Sequence, residues 1–235
     1  MPKAVVLAAG RGTRMQSLTE QIPKPMLPVR GKPILEHLLD RLREAGITSA
    51  LIVTGYRAEA IETHFRGYPL SLEFRRQTVV DGTGSAALLG EQFVGDEPFL
   101  LTFGDVLAEA AAYRGMLAAL TDYPEAEMAI GVKWVEDPWQ GAAVYAADGW
   151  VSRIIEKPPQ GSSTTHWNSA GLFAFRRSVF DELRRVPISP RGEYELTTAE
   201  EQILARGGRV RLYEVQGTWR DIGRPEDLDA ASRTP

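Results

Sequence analysis

Apolar runs of strand length alternate with amphipathic stretches along the first half of the chain. Residues 4–8 (AVVLA) are uninterrupted apolar, the pattern of a strand buried on both faces. Residues 33–46 place Ile34, Leu35, Leu38, Leu39 and Leu42 on one helical face. Pro33 suits the first turn of that helix and Gly46 its stop. The rhythm continues with a strand at 50–54, a helix over about 58–66 and a strand near 70–75. A helix near 84–93, a strand at 98–103 and a helix near 109–120 follow. Buried runs alternating with helices at this spacing predict right-handed βαβ units. The fold class read from them is α/β, a Rossmann-like mixed, mostly parallel sheet flanked by helices.

Beyond residue 126 the rhythm changes. Residues 127–135, 142–146, 151–155 and 170–175 read as strands separated by turn signals such as Ala147-Asp-Gly149. Helices over about 177–185 and 194–206 follow, then strands at 209–215 and 218–222. No Pro/Gly/Ser-rich linker interrupts the chain, so the expectation is one unit, 1–235. The change of rhythm divides it into halves spanning 1–125 and 126–235, the second a natural place for a second substrate.

Composition removes whole classes of chemistry. The 235 residues contain no cysteine, which excludes thiol nucleophiles, thiolate zinc sites, iron–sulfur clusters and disulfides. The three histidines, His37, His64 and His166, are scattered. A net charge of −4 speaks against a nucleic-acid coat. No window approaches the roughly 18 apolar residues of a membrane span, and the N-terminal apolar run is too short for a signal peptide. A cytoplasmic protein with no nucleic-acid or membrane partner is expected. The basic residues comprise 22 arginines and only 5 lysines, so the position of each lysine is informative.

The connection between strand 4–8 and helix 33–45 is about two dozen residues long, against two to six for most such loops. Gly10 and Gly12 free backbone N–H groups to approach an anion, and Arg14 and Lys24 supply charge. Position 15, where a dinucleotide fingerprint wants its third glycine, is Met15, and strand 50–54 ends without the ribose-binding acid. A Walker A sequence is absent too. Cationic, glycine-rich chemistry after the first strand is nevertheless where open α/β sheets bind nucleotides.

The segment LAAGRGTRMQSLTEQIPKPMLPVRGKPIL resembles the signature of the sugar-1-phosphate nucleotidyltransferases. The resemblance is nearest to the glucose-1-phosphate thymidylyl- and uridylyltransferases. It continues in order through Gln77 and Asp81-Gly-Thr-Gly, Phe103-Gly-Asp105, Gly141 and Ile155-Glu-Lys-Pro158. Asn168-Ser-Ala-Gly171, Ser189-Pro-Arg-Gly-Glu-Tyr-Glu-Leu196 and Trp219-Arg-Asp-Ile-Gly-Arg-Pro-Glu-Asp227 complete the series. It implies the nucleotide-diphospho-sugar transferase type of fold, an NTP and a sugar 1-phosphate as ligands, and Mg²⁺ as cofactor.

By the same resemblance Arg14, Lys24 and Lys157 are the catalytic cations, and Asp105 and Asp221 hold the metal. Leu7, Ala9, Gly10, Gly12, Thr13, Gln77 and Gly82 line the nucleotide. Gly141, Glu156, Lys157, Asn168 and Arg191 take the sugar phosphate. The amide of Gln77 offers a donor and an acceptor side by side, which complements uracil or thymine and, flipped, cytosine. Glu109 and Asp227 read instead as helix-terminal charges, and Trp139 and Trp167 as packing.

The implied reaction is attack of a sugar-1-phosphate oxygen on the α-phosphorus of UTP or dTTP, with a glucose-like sugar. Alternatives are a mannose-1-phosphate/GTP enzyme, a transferase for a non-sugar phosphate such as phosphocholine, and a non-catalytic nucleotide-sugar-binding regulatory protein. The expected assembly is a monomer or small homo-oligomer.

Overall fold

The computed structural model describes residues 1–233. In chain order its strands and helices are β1 (Lys3–Ala8), β2 (Pro28–Val29), β3 (Lys32–Pro33), α1 (Ile34–Glu44), β4 (Ser49–Thr54), α2 (Ala58–His64), β5 (Ser71–Arg76), α3 (Thr83–Leu88), α4 (Glu91–Val94), β6 (Phe99–Phe103), β7 (Val106–Ala108), α5 (Ala110–Asp122) and β8 (Ala126–Trp134). They continue with β9 (Ala142–Ala147), β10 (Trp150–Glu156), β11 (Trp167–Phe175), α6 (Val179–Leu183), α7 (Leu196–Ala205), β12 (Arg209–Glu214), β13 (Trp219–Asp221) and α8 (Pro225–Arg233).

Nine strands form one sheet in the order β5-β4-β1-β6-β11-β8-β12-β10-β9. The first four are parallel, and β11 enters antiparallel between β6 and β8. The apolar run of β1 serves both faces. Val5 and Leu7 join a core with α3, α4, α6 and α7, while Ala4, Val6 and Ala8 join a second core with α1, α2 and α5. Burial on both faces leaves β1 apolar from Ala4 to Ala8, so polar chemistry at its carboxyl end falls to the loop beyond it.

Four elements differ from the sequence expectation, each for a local reason. Pro33 precedes α1 in extended conformation instead of occupying its first turn, because Lys32–Pro33 pairs with Pro28–Val29. The helix expected near 84–93 divides into α3 and α4 at Leu89–Gly90, where Gly90 packs against Val5. The last sheet strand before α6 begins earlier than 170, so Asn168 lies within β11. A short strand, β7, precedes α5 and pairs antiparallel with β13, placing Asp221 opposite Val106. Three residues are too few to show a period in sequence.

A third, smaller core fastens the long first loop. Met15, Leu27, Val29 and Ile34 pack with Ile222 and Ala231 from the far end of the chain. The loop is thereby a pair of short 3₁₀ turns (Thr13–Thr19 and Lys24–Met26) clamped to β13 and α8. On the other side of the sheet, segment 81–84 is laced to 194–196. Tyr194 N donates to Asp81 O at 2.7 Å, Gly84 N to Tyr194 O at 2.8 Å, and Leu196 N to Thr83 Oγ1 at 3.0 Å.

Gly82 is obligatory in that lacing: its φ is 136°, and a Cβ would lie 2.2 Å from Tyr194 O. Gly82→Ala is therefore expected to cost about 2–4 kcal/mol in urea unfolding. Gly95→Ala, left-handed (φ 74°) but in open space, should cost only about 1–2 kcal/mol. Equal losses at the two positions would show that the close approach of residues 194–196 does not constrain the fold.

Candidate active site

The first loop and two strand ends build one half of the site. Gly104 N donates to Leu7 O at 2.9 Å, setting Asp105 immediately past the end of β6 and beside the end of β1. Ile222 N donates to Asp105 O at 3.0 Å, and the β7–β13 ladder sets Asp221 in the same place. Lys24 is 6% exposed, lies between two prolines, and donates from Nζ to Asp105 Oδ2. Gly12, at φ 67°, lets the backbone pass against the Lys24 stem. Gly223 marks the meeting point of three groups: a Cβ there would lie 3.6 Å from Arg14 Nη1, 3.6 Å from Asp227 Oδ2 and 3.8 Å from Asp221 Oδ1.

Charge in this half is unbalanced toward the acids. Desolvation on its inner side and the neighbouring Asp105 carboxylate push Asp221 up to about 6, although Lys24 and Arg14 oppose them. The outer edge of Asp221 still faces solvent. Two neighbouring carboxylates, one of them hard to ionise beside the other, make a place for a cation. Among the described residues no group of three or more His, Asp or Glu gathers to hold a metal by protein ligands alone.

The nucleotide-side residues fall into exposed and buried sets. Leu7 and Ala9 are buried, and Ala9 O accepts from Tyr56 N at 3.1 Å. Gly10, Thr13 and Arg14 are exposed on the loop. Gln77 is 7% exposed, buried although Arg75 and Arg76 precede it. Its Nε2 donates to Ser85 Oγ at 2.9 Å and Gly82 O at 3.0 Å, with Asp81 Oδ1 at 3.3 Å.

A second cluster forms around the end of β10 and the start of β11. Because β11 runs antiparallel to β6, its start lies at the sheet end that carries Asp105. Glu156 accepts from Thr197 Oγ1 at 2.8 Å, and Arg191 Nη2 lies 3.4 Å from it. Arg191 Nε also donates to Glu195 at 3.0 Å. Lys157, half-exposed, sits in the left-handed region (φ 43°), with Nζ 3.9 Å from Glu156. Lys157 N donates to Gly141 O at 2.7 Å. A Cβ on Gly141 would lie 2.3 Å from Asn168 Oδ1, so the glycine makes room for the Asn168 amide.

Glu109 and Asp227 lie at helix starts and bond nearby backbone: Glu109 accepts from Thr218 N at 2.8 Å, just ahead of β13, and Asp227 from Arg224 N at 2.8 Å and Gly223 N at 3.0 Å, just ahead of α8. Two cavities of about 490 and 570 Å³ lie elsewhere, one beside Leu107–Ala111 and one beside Trp134 and Trp167. Neither includes an acid or cation of the two clusters.

The nucleotidyl transferase family matches residues 3–234. The chain belongs to it. Among family members, bifunctional protein GlmU of Methanocaldococcus jannaschii is 32% identical over 231 residues, which are 98% of this chain and 53% of that protein. The chain thus spans about half the length of that relative. UTP–glucose-1-phosphate uridylyltransferase AglF of Haloferax volcanii is 34% identical over 236 residues, covering 98% of this chain and 95% of that one. The solved structure of UDP-glucose pyrophosphorylase complexed with UDP-glucose superposes with a TM-score of 0.89 at 25% identity, covering 99% of this chain and 97% of that one.

One acid of this family member escaped the sequence reading. Glu200 is 1% exposed, and its Oε1 has no hydrogen-bond partner among the described residues. It shares the buried face of α7 with Leu196, Ala199 and Ile203, a spacing that was visible in the sequence. Burial, with Glu156 and Glu201 nearby, pushes it up to about 8. Its folded pKa lies above the ordinary carboxyl value, so the native state retains a proton that the unfolded chain releases. Stability should therefore fall by about 1–3 kcal/mol as pH rises from 5 to 8. Urea unfolding across that range should show the slope flattened in Glu200→Gln; an unchanged slope would mean that Glu200 ionises normally.

Proposed function

We propose that this protein transfers a nucleotidyl group from UTP or dTTP to a glucose-like sugar 1-phosphate, releasing pyrophosphate. One observation carries the reading. The β7–β13 ladder sets Asp221 beside Asp105 and Lys24, at the sheet end shared with Glu156, Lys157, Asn168 and Arg191. Two acids with buried and exposed cations, opposite a second cluster of polar side chains, suit a reaction between two phosphate-bearing substrates. The uridylyltransferase relative and the UDP-glucose-bound neighbour support uridine and glucose.

In this mechanism the sugar-phosphate oxygen attacks the α-phosphorus in line and pyrophosphate leaves, with no covalent intermediate on the protein. Arg14 and Lys24 draw charge off the triphosphate, while Gly10, Gly12 and Thr13 bring backbone N–H groups to it. Leu7 and Ala9 wall the nucleotide at the end of β1, and Gln77 and Gly82 meet the base. Glu156, Asn168 and Gly141 orient sugar hydroxyls; Lys157 and Arg191 hold the sugar's phosphate within reach. Asp105 and Asp221 would hold Mg²⁺, which supplies charge neutralisation on the phosphate oxygens when bound. Two carboxylates completed by substrate oxygens are an ordinary Mg²⁺ ligand set. No helix among the described residues is long and apolar enough to cross a membrane; a cytoplasmic reaction by a monomer or small homo-oligomer belongs to the same proposal.

Pyrophosphate release measured over five NTPs and common hexose 1-phosphates should be greatest with UTP or dTTP and a glucose-like phosphate. A preference for GTP or ATP would overturn the base assignment. Asp105→Asn should lower turnover by about 10²–10³-fold while retaining the wild-type circular dichroism spectrum. Undiminished turnover in that variant would overturn the metal-site assignment. Chelation with EDTA should abolish the wild-type signal and added Mg²⁺ restore it.

A further inference from the structure

An amide side chain has two orientations that differ by exchanging oxygen and nitrogen, and the Gln77 environment permits one. Its nitrogen faces Gly82 O at 3.0 Å and Asp81 Oδ1 at 3.3 Å. A peptide carbonyl and a carboxylate are acceptors only, so a flipped amide would set oxygen against both. The third partner, Ser85 Oγ at 2.9 Å, can act either way, and its own acceptors decide which. The single Ser85 proton is directed at Asp81 Oδ1 or at Gly82 O, 3.0 Å away, and either bond leaves the hydroxyl lone pairs for the Gln77 nitrogen. Gln77 N is itself fixed by Thr54 O at 2.8 Å, and Gly82 is held in place by the backbone of Tyr194. The nitrogen end of the amide is therefore consumed, while Oε1 has no partner among the described residues and is not sealed from solvent.

We infer that Asp81 and Ser85 form an orientation lock that keeps the Gln77 oxygen toward the base and so excludes cytosine. The inference rests on the proposal that Gln77 meets the base. Uracil and thymine carry N–H at position 3, which this oxygen can accept. Cytosine carries a lone pair there, and oxygen facing lone pair is repulsive. Gly82 O holds the nitrogen as well, so loss of Asp81 or Ser85 weakens the preference by one contact and does not abolish it. Asp81 and Ser85 are positioning residues in this scheme, acting on the base only through Gln77.

The test is equilibrium binding of UTP and of CTP by calorimetry, in buffer with Mg²⁺ and without sugar phosphate. The wild type should prefer UTP. In Ser85→Ala, and in Asp81→Asn, the CTP-to-UTP ratio of dissociation constants should fall by about three- to tenfold, the effect of one lost hydrogen bond. Ser85→Thr, which keeps the hydroxyl, should hold the ratio near wild type. A purely structural role for the network would weaken both nucleotides together and leave the ratio unchanged; that result overturns the lock. A wild type that transfers nucleotides but binds UTP and CTP equally overturns it as well, with the proposed function intact. A wild type that binds no NTP and releases no pyrophosphate removes the proposed function and this inference together.

Discussion

Two carboxylates from distant parts of the chain are forced to share one sheet end, and much of the architecture follows from accommodating them. Asp105 lies just past the end of the buried strand β6; Asp221 arrives through a three-residue antiparallel ladder. Neither position is stable as an isolated pair of negative charges. Lys24, drawn out of solvent by the 3₁₀ turns of the first loop, meets Asp105, and Arg14 lies near Asp221 beside Gly223. Even so, Asp221 remains harder to ionise than a free carboxyl group. The residual repulsion favours any ligand that brings positive charge into the gap.

The small core of Met15, Leu27, Val29, Ile34, Ile222 and Ala231 makes that arrangement mechanically possible. A loop of two dozen residues would lose considerable entropy on being ordered by polar contacts alone. Burying Met15 and Ile222 together offsets that cost and joins the two ends of the chain at the acids. The 81–84 and 194–196 segments are joined in the same way, where Gly82 permits backbone-to-backbone contact. Both loop segments are thus held by nonlocal packing.

Glu156 links this frame to a less expected feature. Thr197 and Arg191 satisfy it from the first turn of α7 and the loop before it, while Glu200 sits buried on the same helix with no partner for Oε1 among the described residues. An acid at that depth prefers to keep its proton, which spares the cluster a further negative charge near Glu156. Arg191 is shared between Glu156 and Glu195, so the cation and acids of this cluster are interdependent.

The sequence by itself determined the layered α/β frame, because β1, α1, β4 and β6 are long enough for period and composition to speak. It also determined which residue types could do phosphate chemistry: glycines, an arginine and a proline-flanked lysine after the first strand, and acids at strand ends. It could not show β7, whose three residues acquire meaning only by pairing with β13, nor that Gln77 is buried. The amide orientation of Gln77 was equally illegible, since it depends on Asp81, Gly82 and Ser85 meeting around one nitrogen. Glu200 showed its helical spacing but not its isolation, which requires knowing what packs against α7. Local pattern specifies elements because burial repeats along the chain; partners across space are fixed only when packing closes the distances, and charge and hydrogen-bond direction follow from those distances.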